Sequence, residues 1–341
     1  MNHDTDVIII GAGPIGLFAV FELGLLKLNC HLIDNLDKVG GQCSELYPEK
    51  PIFDIPSHTR ITAQKLIDNL MAQAKPFKPV FHLGQQAKKI EKIEDSNWKI
   101  TTSLNNIIIA RCIVIAGGAG SFVPRKPKIN NFEEYEVKSV FYSIKDKSIF
   151  YGKKIVIAGG GDSALDWTNE LASTAEVTLI HRRKEFRAAP DSVEKMLDLE
   201  LKGKIKFKIG QLLSVKGNQG MISEIICENE DNEDKEFSIA ADYLLPFYGL
   251  KMELGPIAKW GINLYENRIK VDTEKFETSE KSIFAIGEIN FYPGKLKLIL
   301  SGFHEAALMA QQCFRYCKPD KKLVFRYTTV SKDLHKKLGM Q

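Results

Sequence analysis

The sequence is short of three things: paired cysteines, long apolar runs and excess charge of one sign. Its six cysteines are scattered over 341 residues without a C-x-x-C pair, a pattern that fits free, buried thiols in a reducing cytosol. Residues 7–21 are apolar, but Asp4 and Asp6 precede them and Glu22 interrupts them, so they do not predict a signal peptide. No other stretch approaches the ~18 apolar residues of a membrane helix. We therefore expect a cytoplasmic protein that is not secreted and does not span a membrane.

The charge balance is equally mild. A net charge of +4 and the absence of an aromatic-basic module argue against a nucleic-acid partner. With 44% hydrophobic and 26% charged residues, the composition is that of a soluble globular protein. At this length, two domains are a more natural expectation than one.

The first motif is a strand, a glycine turn, a helix and a second strand. Residues 6–10 are a β-branched run that predicts a buried parallel strand. The turn after it has G-x-G-x-x-G spacing: Gly11, Gly13 and Gly16. A helix is predicted over residues 14–27 and a strand over 29–33, and Asp34 follows Gly11 by 23 positions. This register predicts a dinucleotide site, with the turn under a diphosphate and Asp34 on a ribose hydroxyl. A tight turn inside an ordinary core is the alternative.

A second unit of the same kind begins at residue 153. A strand at 153–158 is followed by G-x-G-x-x-A and a helix to about residue 173: Gly159, Gly160, Gly161, Asp162, Ser163 and Ala164. The return strand, 176–180, ends not in an acid but in basic residues: His181, Arg182 and Arg183, with Arg187 nearby. Guanidinium groups in this register are what a 2′-phosphate needs, which predicts NADP rather than NAD. A solvated basic face is the alternative.

The remaining stretches give weaker signals. Residues 39–48 predict a structured loop in which Gln42 could bind a cofactor and Tyr47 could stack on a ring, or simply a surface loop. A helix is predicted at 61–74, strands within 77–102 and at 107–116, a β-meander at 205–237 and a strand at 241–249. A later strand ends in Gly287-Glu288, and a helix at 302–316 could direct its amino terminus at an anion. From residue 315 onward the tail holds eight Lys or Arg against two Asp.

Taken together, the two units resemble the flavoproteins that have two dinucleotide-binding domains. Gly-Gly-Gly-Asp-Ser-Ala and His-Arg-Arg-x-x-x-Arg-Ala are similar to motifs of thioredoxin reductases, but residues 139–152 lack the cysteine pair of those enzymes. Over nearly the whole chain the sequence resembles the thioredoxin-reductase-like ferredoxin–NADP reductases, most specifically in Gly-Gly-Gln-x-Ser-x-Leu-Tyr-Pro-Glu-Lys at 40–50.

The resemblance implies an α/β fold of two Rossmann-like domains, with an NADPH domain inserted into an FAD domain. The FAD domain would span 1–121 and 251–341, and the NADPH domain 122–250. The implied FAD residues are Gly11, Gly13, Gly16, Asp34, Gln42, Tyr47, Ala87, Phe122, Glu288 and Thr329. Tyr327 falls where the family lays a ring over the flavin, and Glu288 stands where the family mostly has Asp. The implied NADPH residues are Gly159, Gly161, Asp162, Ser163, Ala164, His181, Arg182, Arg183 and Arg187.

The implied activity is ferredoxin–NADP(+) reductase: electron transfer between NADPH and ferredoxin or flavodoxin through FAD, in a homodimer without a metal site. Because the flavin carries the chemistry, no acid–base pair is expected. Two other classes stay open. One is a disulfide reductase related to thioredoxin reductase that uses remote cysteines such as Cys313 and Cys317. The other is a non-enzymatic FAD- and NADP-binding redox sensor.

Overall fold

The fold is taken from a computed structural model, which describes residues 2–94, 97–118, 120–130, 132–136, 138–228, 235–324, 327–337 and 339. The chain divides into two compact units. The first consists of Met1–Phe122 and Met252–Gln341, and the second of Val123–Lys251. The second unit is thus one continuous segment, whereas the first is assembled from both ends of the chain.

The amino-terminal segment supplies most of the sheet of the first unit. Its elements are β1 (Asn2–Ile10), α1 (Pro14–Leu25), β2 (Cys30–Ile33), α2 (Gln42–Glu45), β3 (Pro51–Ile52), β4 (Ile61–Thr62), α3 (Ala63–Ala74), β5 (Val80–His82), β6 (Ala87–Lys92), β7 (Trp98–Thr102), β8 (Ile107–Ile115) and β9 (Ser121–Pro124). The strand order is β5–β2–β1–β8–β7–β6. The first four strands in this order are parallel, and β7 and β6 add an antiparallel edge. The carboxyl ends of the parallel strands therefore share one edge of the sheet.

The central strand β1 is buried on both faces, which explains its run of apolar residues without alternation. Val7 and Ile9 pack into the apolar cluster that includes α1 and a later helix. Ile8 and Ile10 pack into a second cluster on the opposite face, together with Trp98. A parallel strand covered on both sides needs apolar side chains at every position.

Two predicted boundaries in this segment were wrong. The helix predicted at 61–74 begins at Ala63 instead, because Thr62 is its N-cap and its hydroxyl accepts from the amide of Lys65 at 3.2 Å. Part of the loop predicted at 39–48 is the one-turn helix α2. Gly41, with φ +55°, adopts the left-handed conformation immediately before that turn.

The second unit contains a parallel sheet and a separate antiparallel sheet. Its elements are β10 (Lys154–Ala158), α4 (Asp162–Leu171), β11 (Glu176–His181), α5 (Pro190–Leu201), β12 (Ile205–Ile209), β13 (Gln211–Asn218), β14 (Met221–Glu228), β15 (Glu236–Ala240) and β16 (Tyr243–Pro246). The parallel sheet has the order β12–β11–β10–β16, and β13–β14–β15 form the antiparallel sheet. The connection from β10 through α4 to β11 is the predicted strand–turn–helix–strand unit.

The prediction of one continuous meander over 205–237 was wrong at its start. Ile205–Ile209 pairs with β11 in the parallel sheet, with Val177 opposite Ile205. Its burial alternates, and Ile205 faces the core while Lys206 is exposed, so the pattern alone does not distinguish an edge of the parallel sheet from a hairpin strand. Residues 229–234 of the predicted meander lie outside the described residues.

The returning segment completes the first unit. Its elements are β17 (Leu250–Glu253), β18 (Leu264–Tyr265), β19 (Arg268–Lys270), β20 (Ile283–Ala285), β21 (Asn290–Phe291), α6 (Ile299–Cys317) and α7 (Lys332–Lys337). β17 pairs with β9, and β20 pairs in parallel with β8 to add a seventh strand to the main sheet. The carboxyl terminus of the chain is therefore needed to finish the sheet begun at its amino terminus.

Helix α6 starts three residues before its predicted start at Gly302. Gly302 lies in the first turn and faces α1, where an added Cβ would come within 2.7 Å of Ile15 Cγ1. This glycine lets the two helices approach closely.

In the tail, Leu334 of α7 is buried and Lys337 Nζ lies 5.1 Å from the centre of the Phe77 ring. No helix in the described ranges is long and apolar enough to cross a bilayer.

Candidate functional site

A cavity in the first unit lies at the carboxyl ends of β1, β2 and β8, and the glycine turn after β1 forms its floor. Gly11 has φ +110° and packs so closely against the Ala116 carbonyl that an added Cβ would clash with it. Gly16 packs in the same way against the Gly11 carbonyl, so it allows α1 to pack closely against β1. It is not itself part of the cavity lining. At Gly13, an added Cβ would meet no described atom within 4 Å, because that α carbon faces the cavity. Gly11 thus allows the tight turn, Gly16 allows α1 to pack closely on β1, and Gly13 leaves the backbone open toward the cavity.

Asp34 lies at the end of β2 and lines the cavity. Its Oδ2 accepts from the amide of Ala12 at 2.6 Å, and its Oδ1 accepts from the amide of Leu36 at 2.9 Å. Burial raises the pKa of this carboxyl group, against the lowering effect of those amides. A carboxylate has about four lone-pair positions, so Asp34 can hold the glycine turn and still accept from a ligand hydroxyl.

Three polar side chains converge on another wall of the cavity. Gln42 Nε2 donates to Glu288 Oε2 at 3.4 Å, and Lys297 Nζ lies 3.8 Å from Glu288 Oε1. All three line the cavity, although they come from α2, from the Gly287 turn and from the segment before α6. Gln42 and Glu288 were predicted, whereas Lys297 was missed because a lone lysine in a loop has no distinguishing pattern.

Tyr47 and Cys43 form the third wall, and both are held in their neutral forms. Burial raises the pKa of Cys43 to about 12 and also raises the pKa of Tyr47, and the two side chains share a hydrogen bond. The ammonium group of Lys50 lies 5.8 Å from the centre of the Tyr47 ring. Neither side chain is poised as a base or a nucleophile near pH 7.

Two helix amino termini face the cavity. Pro14 begins α1 and Ile299 begins α6, and both residues belong to the lining. Among the described residues, neither helix start is capped by a side chain. Uncapped first-turn amides carry partial positive charge, so the cavity favours an anionic ligand.

Seven of the predicted residues line this cavity: Gly11, Gly13, Asp34, Gln42, Tyr47, Ala87 and Glu288. Thr329 and Tyr327 are exposed, Tyr327 by 71%, and neither is among the lining residues, so the structure does not bring these two to the cavity. Phe122 lies in β9, but its side chain is outside the part of the chain that is described. These three contacts remain predictions.

The sequence also missed cavity residues on loops and in the short 3-10 helix Gly255–Lys259. They include Asn35, Leu36, Gln85, Gln86, Leu254, Pro256 and Ile257. None belongs to a motif, and only the fold brings the three segments together. Gly117, Gly118 and Gly120, which follow β8, also line the cavity.

The second glycine turn has the same construction in the second unit. Gly159 packs against the Phe247 carbonyl, and an added Cβ there would lie 2.5 Å from that oxygen. Ala164 is fully buried beneath the turn, whereas Ser163 is exposed at the start of α4. At Gly161 an added Cβ would lie 3.9 Å from the Arg187 carbonyl oxygen, which is an ordinary contact and not a clash. The amino terminus of α4 is therefore open to a diphosphate.

The basic residues after β11 lie beside this turn. Arg182, Arg183 and Arg187 are exposed, and none is paired with a carboxylate in the described ranges. The pKa of His181 is lowered, mainly by burial and further by the two neighbouring guanidinium groups, so the ring is neutral near pH 7. Asp162, predicted as a cofactor contact, has its Oδ1 accepting from the amide of Ala189 at 2.8 Å.

The six cysteines are free. Cys112 Sγ and Cys317 Sγ lie 3.8 Å apart, and Cys313 donates to the sulfur of Met309. Within the described residues, Cys43 is the one thiol that lines the cavity. Cys313 and Cys317 are thus packed at the far end of α6, and Cys317 has Cys112 as its neighbour.

Comparison with known proteins defines the class. A family model described as pyridine nucleotide-disulphide oxidoreductase matches residues 5–310, and the chain belongs to this family. More particularly, it is 56% identical over 98% of both chains to a ferredoxin–NADP reductase of Parvibaculum lavamentivorans, and 55% identical over 98% of both chains to one of Mesorhizobium japonicum.

Solved structures support the same architecture. A thioredoxin reductase of Lactococcus lactis matches with a TM-score of 0.77 and 24% identity over 92% of this chain and 99% of its own. A thioredoxin reductase of T. acidophilum matches with a TM-score of 0.79 and 20% identity over 92% of this chain and 98% of its own. At such identities the likeness concerns the fold alone, and it confirms the predicted α/β class with two Rossmann-type units.

Membership of this family implies FAD and NADPH as cofactors, and both sites fit. The first unit offers the open α carbon of Gly13, the uncapped start of α1 and the Asp34 carboxylate, which suit the diphosphate and ribose of FAD. The second unit offers Gly161, the start of α4 and unpaired guanidinium groups, which suit NADPH.

Proposed function

We propose that this protein is a ferredoxin–NADP(+) reductase that moves electrons between NADPH and ferredoxin or flavodoxin. The observation that carries the proposal is identity above half over 98% of both chains with proteins of that name. The construction of the two sites supports it, because each unit has its own glycine turn and open helix start.

In this proposal FAD belongs to the first unit and NADPH to the second. Bound FAD supplies the redox chemistry, since it takes electrons in pairs from NADPH and passes them singly to a one-electron partner. Gly13 and the first turn of α1 would hold the diphosphate, and Asp34 the ribose. These groups bind and orient the cofactor but move no protons.

The wall around Glu288 would control charge in the cavity. Lys297 and the uncapped start of α6 place positive charge beside the carboxylate of Glu288. Such preorganised charge favours negative charge that develops on a bound group. Tyr47 offers its ring to a planar ligand, and the raised pKa values of Tyr47 and Cys43 keep this wall neutral.

For NADPH, the proposal assigns the 2′-phosphate to Arg182, Arg183 and Arg187. Charge-assisted hydrogen bonds from guanidinium groups to phosphate are stronger than neutral ones and geometrically selective. The 2′-phosphate is the one group that distinguishes NADPH from NADH, so these residues would set the coenzyme preference.

Two further assignments complete the proposal: the enzyme acts in the cytoplasm, and two copies of the chain form a dimer. Six free cysteines suit a reducing compartment. Light scattering of the purified protein gives its oligomeric state directly, and a mass of one chain would exclude the dimer.

The activity is tested by purifying the protein and measuring NADPH oxidation with two acceptors. We expect yellow protein with one FAD per chain, rapid reduction of ferredoxin or flavodoxin, and none of thioredoxin. Turnover with thioredoxin alone would overturn the proposal in favour of a disulfide reductase. Tight FAD and NADPH binding without turnover on any acceptor would favour the redox sensor.

A variant separates the two enzymatic alternatives. Replacing Cys313 and Cys317 by serine removes the candidate remote thiols. Cys313 is buried and Cys317 half-buried, and neither lines the cavity. Ferredoxin reduction should survive this change, apart from some loss of stability. If turnover disappears while FAD and the fold are retained, electrons pass through the thiols and the proposal fails.

A further inference from the structure

Three polar side chains form a stripe along α4. Asp162, Asp166 and Asn169 are spaced by four and three residues, so they share one face of the helix. All three contact the segment that carries the arginines or the start of α5. Asp162 Oδ1 accepts from Ala189 N at 2.8 Å, and Asp166 Oδ1 accepts from the Ser192 hydroxyl at 2.9 Å. Asn169 Nδ2 donates to the Ser192 carbonyl at 3.0 Å.

Residues 182–189, here called the arginine loop, are also tied to the glycine turn. The amide of Arg187 donates to the Gly160 carbonyl at 2.7 Å, and Gly161 and Arg187 form an isolated parallel bridge. Nearer its start, the His181 ring stacks on Phe186 with ring centres 5.3 Å apart. At the end of the loop, the Asp162 bond joins the amide of Ala189 to α4, and the carbonyl of Ala189 accepts from the amides of Ser192 and Val193 in α5 at 3.0 and 3.2 Å.

The position of Asp162 is electrostatically costly for a diphosphate site. Its carboxylate lies in the first turn of α4, where the open helix start favours an anion. A negative side chain there repels the diphosphate that NADPH and NADH both contain. Direct binding of the coenzyme therefore does not explain an acid at this position, whereas its bond to Ala189 does.

The arginines depend on such fixing. All three guanidinium groups are exposed, and long exposed side chains on a loose loop would lose backbone and rotamer entropy on binding a phosphate. A loop that is already fixed loses less entropy when a phosphate binds. The resulting gain in affinity applies only to a ligand that carries the 2′-phosphate.

We propose that Asp162, supported by Asp166 and Asn169, is a positioning residue that sets the preference for the 2′-phosphate by fixing the arginine loop. The inference rests on the proposed use of NADPH and deepens it. It reassigns Asp162 from a coenzyme contact to a residue that acts through Arg182, Arg183 and Arg187.

The test compares Asp162→Ala with Asp162→Asn in the FAD-loaded enzyme. Alanine removes the acceptor for Ala189 N, so the ratio of KM for NADPH to KM for NADH should rise about three- to tenfold. The repulsion that is lost at the diphosphate acts on both coenzymes alike and cancels in this ratio. Asparagine keeps an acceptor oxygen and loses the repulsion, so the ratio of the two KM values should stay that of the parent.

Binding of 2′,5′-ADP, followed by calorimetry, gives a readout independent of turnover. The ratio of its affinity to that of 5′-AMP, which differs from it only in lacking the 2′-phosphate, should fall in Asp162→Ala by the same factor as the ratio of affinities for NADPH and NADH. Ser192→Ala, which removes the bond to Asp166, should shift the ratio in the same direction by less. Asp198→Asn, at the exposed end of α5, is the control and should change neither ligand.

Equal losses for both coenzymes in Asp162→Ala would overturn the inference, since Asp162 would then act at the diphosphate or on the whole unit. An unchanged KM ratio would overturn it as well. If Asp162→Ala does not fold, Ser192→Ala and the 2′,5′-ADP titration decide. A parent enzyme with no preference for NADPH would instead refute the proposed coenzyme, and the two failures are thus distinguishable.

Discussion

Lys295 and Glu305 form an ion pair inside the first unit, with side chains only 2% and 1% exposed. The other oxygen of Glu305 accepts from the amide of Gly287 at 2.7 Å and from Asn290 Nδ2 at 2.9 Å. The Tyr292 hydroxyl donates at 3.0 Å to the oxygen that Lys295 uses. The carboxylate of Glu305 on α6 thus binds four residues of the segment 287–295. This segment leads from Glu288 toward the start of α6.

Breaking this pair should be costly. Glu305→Gln leaves the Lys295 ammonium buried without its counter-charge, and Lys295→Met leaves the carboxylate in the same state. Each change should lower the free energy of unfolding by about 3–5 kcal/mol, and the double variant should recover part of that loss. Urea denaturation of the FAD-loaded enzyme measures both.

The control is the exposed pair of Lys202 and Asp198, whose side chains are 61% and 54% exposed. Lys202→Met should change stability by less than about 1 kcal/mol. If Glu305→Gln behaves like this control, the buried network does not stabilise the segment as the structure indicates.

A cluster of three histidines predicts a loss of stability in mild acid. His31 Nδ1 and His82 Nε2 lie 3.0 Å apart, and the ring of His3 lies 5.0 Å from that of His82, centre to centre. Burial, reinforced by the charges of the other two histidines, lowers the pKa of His31 to about 4, and burial also lowers that of His82.

In the unfolded chain His31 and His82 titrate near 6.5. Between that value and about 4 the unfolded state binds more protons, so the stability is fully present above pH 6.5 and falls as the pH drops. Melting temperatures at pH 7.5, 6.5 and 5.5 measure the slope, and His31→Gln should flatten it. The same slope in that variant would place the acid sensitivity elsewhere.

The sequence predicts a site residue when neighbouring elements of the chain fix its position, and it misses a residue whose position depends on distant segments. Gly11, Gly13 and Asp34 were predictable because a strand, a turn and a helix of fixed lengths place them relative to one another. Glu305 was not, because a glutamate in an amphipathic helix usually faces water, and its partner Lys295 comes from a loop without a pattern.

Asp162 shows the limit within a single motif. The glycine turn predicted its position at the helix start correctly, but its partner, Ala189, lies 27 residues further along the chain. Only the packed loop shows that this carboxylate faces a backbone amide. The spacing of a motif predicts the backbone position of a residue, whereas tertiary contacts determine what its side chain binds.

The arginines give a direct test of coenzyme choice. Arg182→Ala combined with Arg183→Ala should raise KM for NADPH and leave KM for NADH nearly unchanged, because each well-formed contact to phosphate contributes about 1.5–3 kcal/mol. Steady-state kinetics with both coenzymes measures the effect, and Lys202→Ala removes an exposed positive charge as the control. Equal losses for NADPH and NADH would show that the two arginines are structural.

The basic tail predicts a salt effect on the protein partner. Lys337 packs on Phe77, so α7 places positive charge on the unit that contains the cavity. An acidic ferredoxin would be steered by such charge over about 8–10 Å at physiological salt. Its apparent KM should therefore rise with ionic strength, whereas the reduction of a small neutral quinone should hardly change.

Replacing Lys332, Lys336 and Lys337 by Glu reverses their charge, so the apparent KM for ferredoxin should rise as it does at high salt. The rate of quinone reduction should not change. Stopped-flow association at several ionic strengths separates on-rate from off-rate, and steering acts on the on-rate. A flat salt response, or a triple variant with unchanged ferredoxin kinetics, would mean that the tail does not guide the partner.

The seventh strand of the main sheet bears on the order in which the molecule is made. Strand β8 is complete at Ile115, but its neighbour β20 does not begin until Ile283. At about 5–20 residues per second, a ribosome needs roughly 8–30 s to make the chain between them. The second unit is continuous and lies entirely within that interval. Translation therefore favours completion of the inserted unit first. Until β20 and α6 are made, residues 113–115 of β8 lack their neighbour on one edge, and the face of α1 that packs against α6 is uncovered.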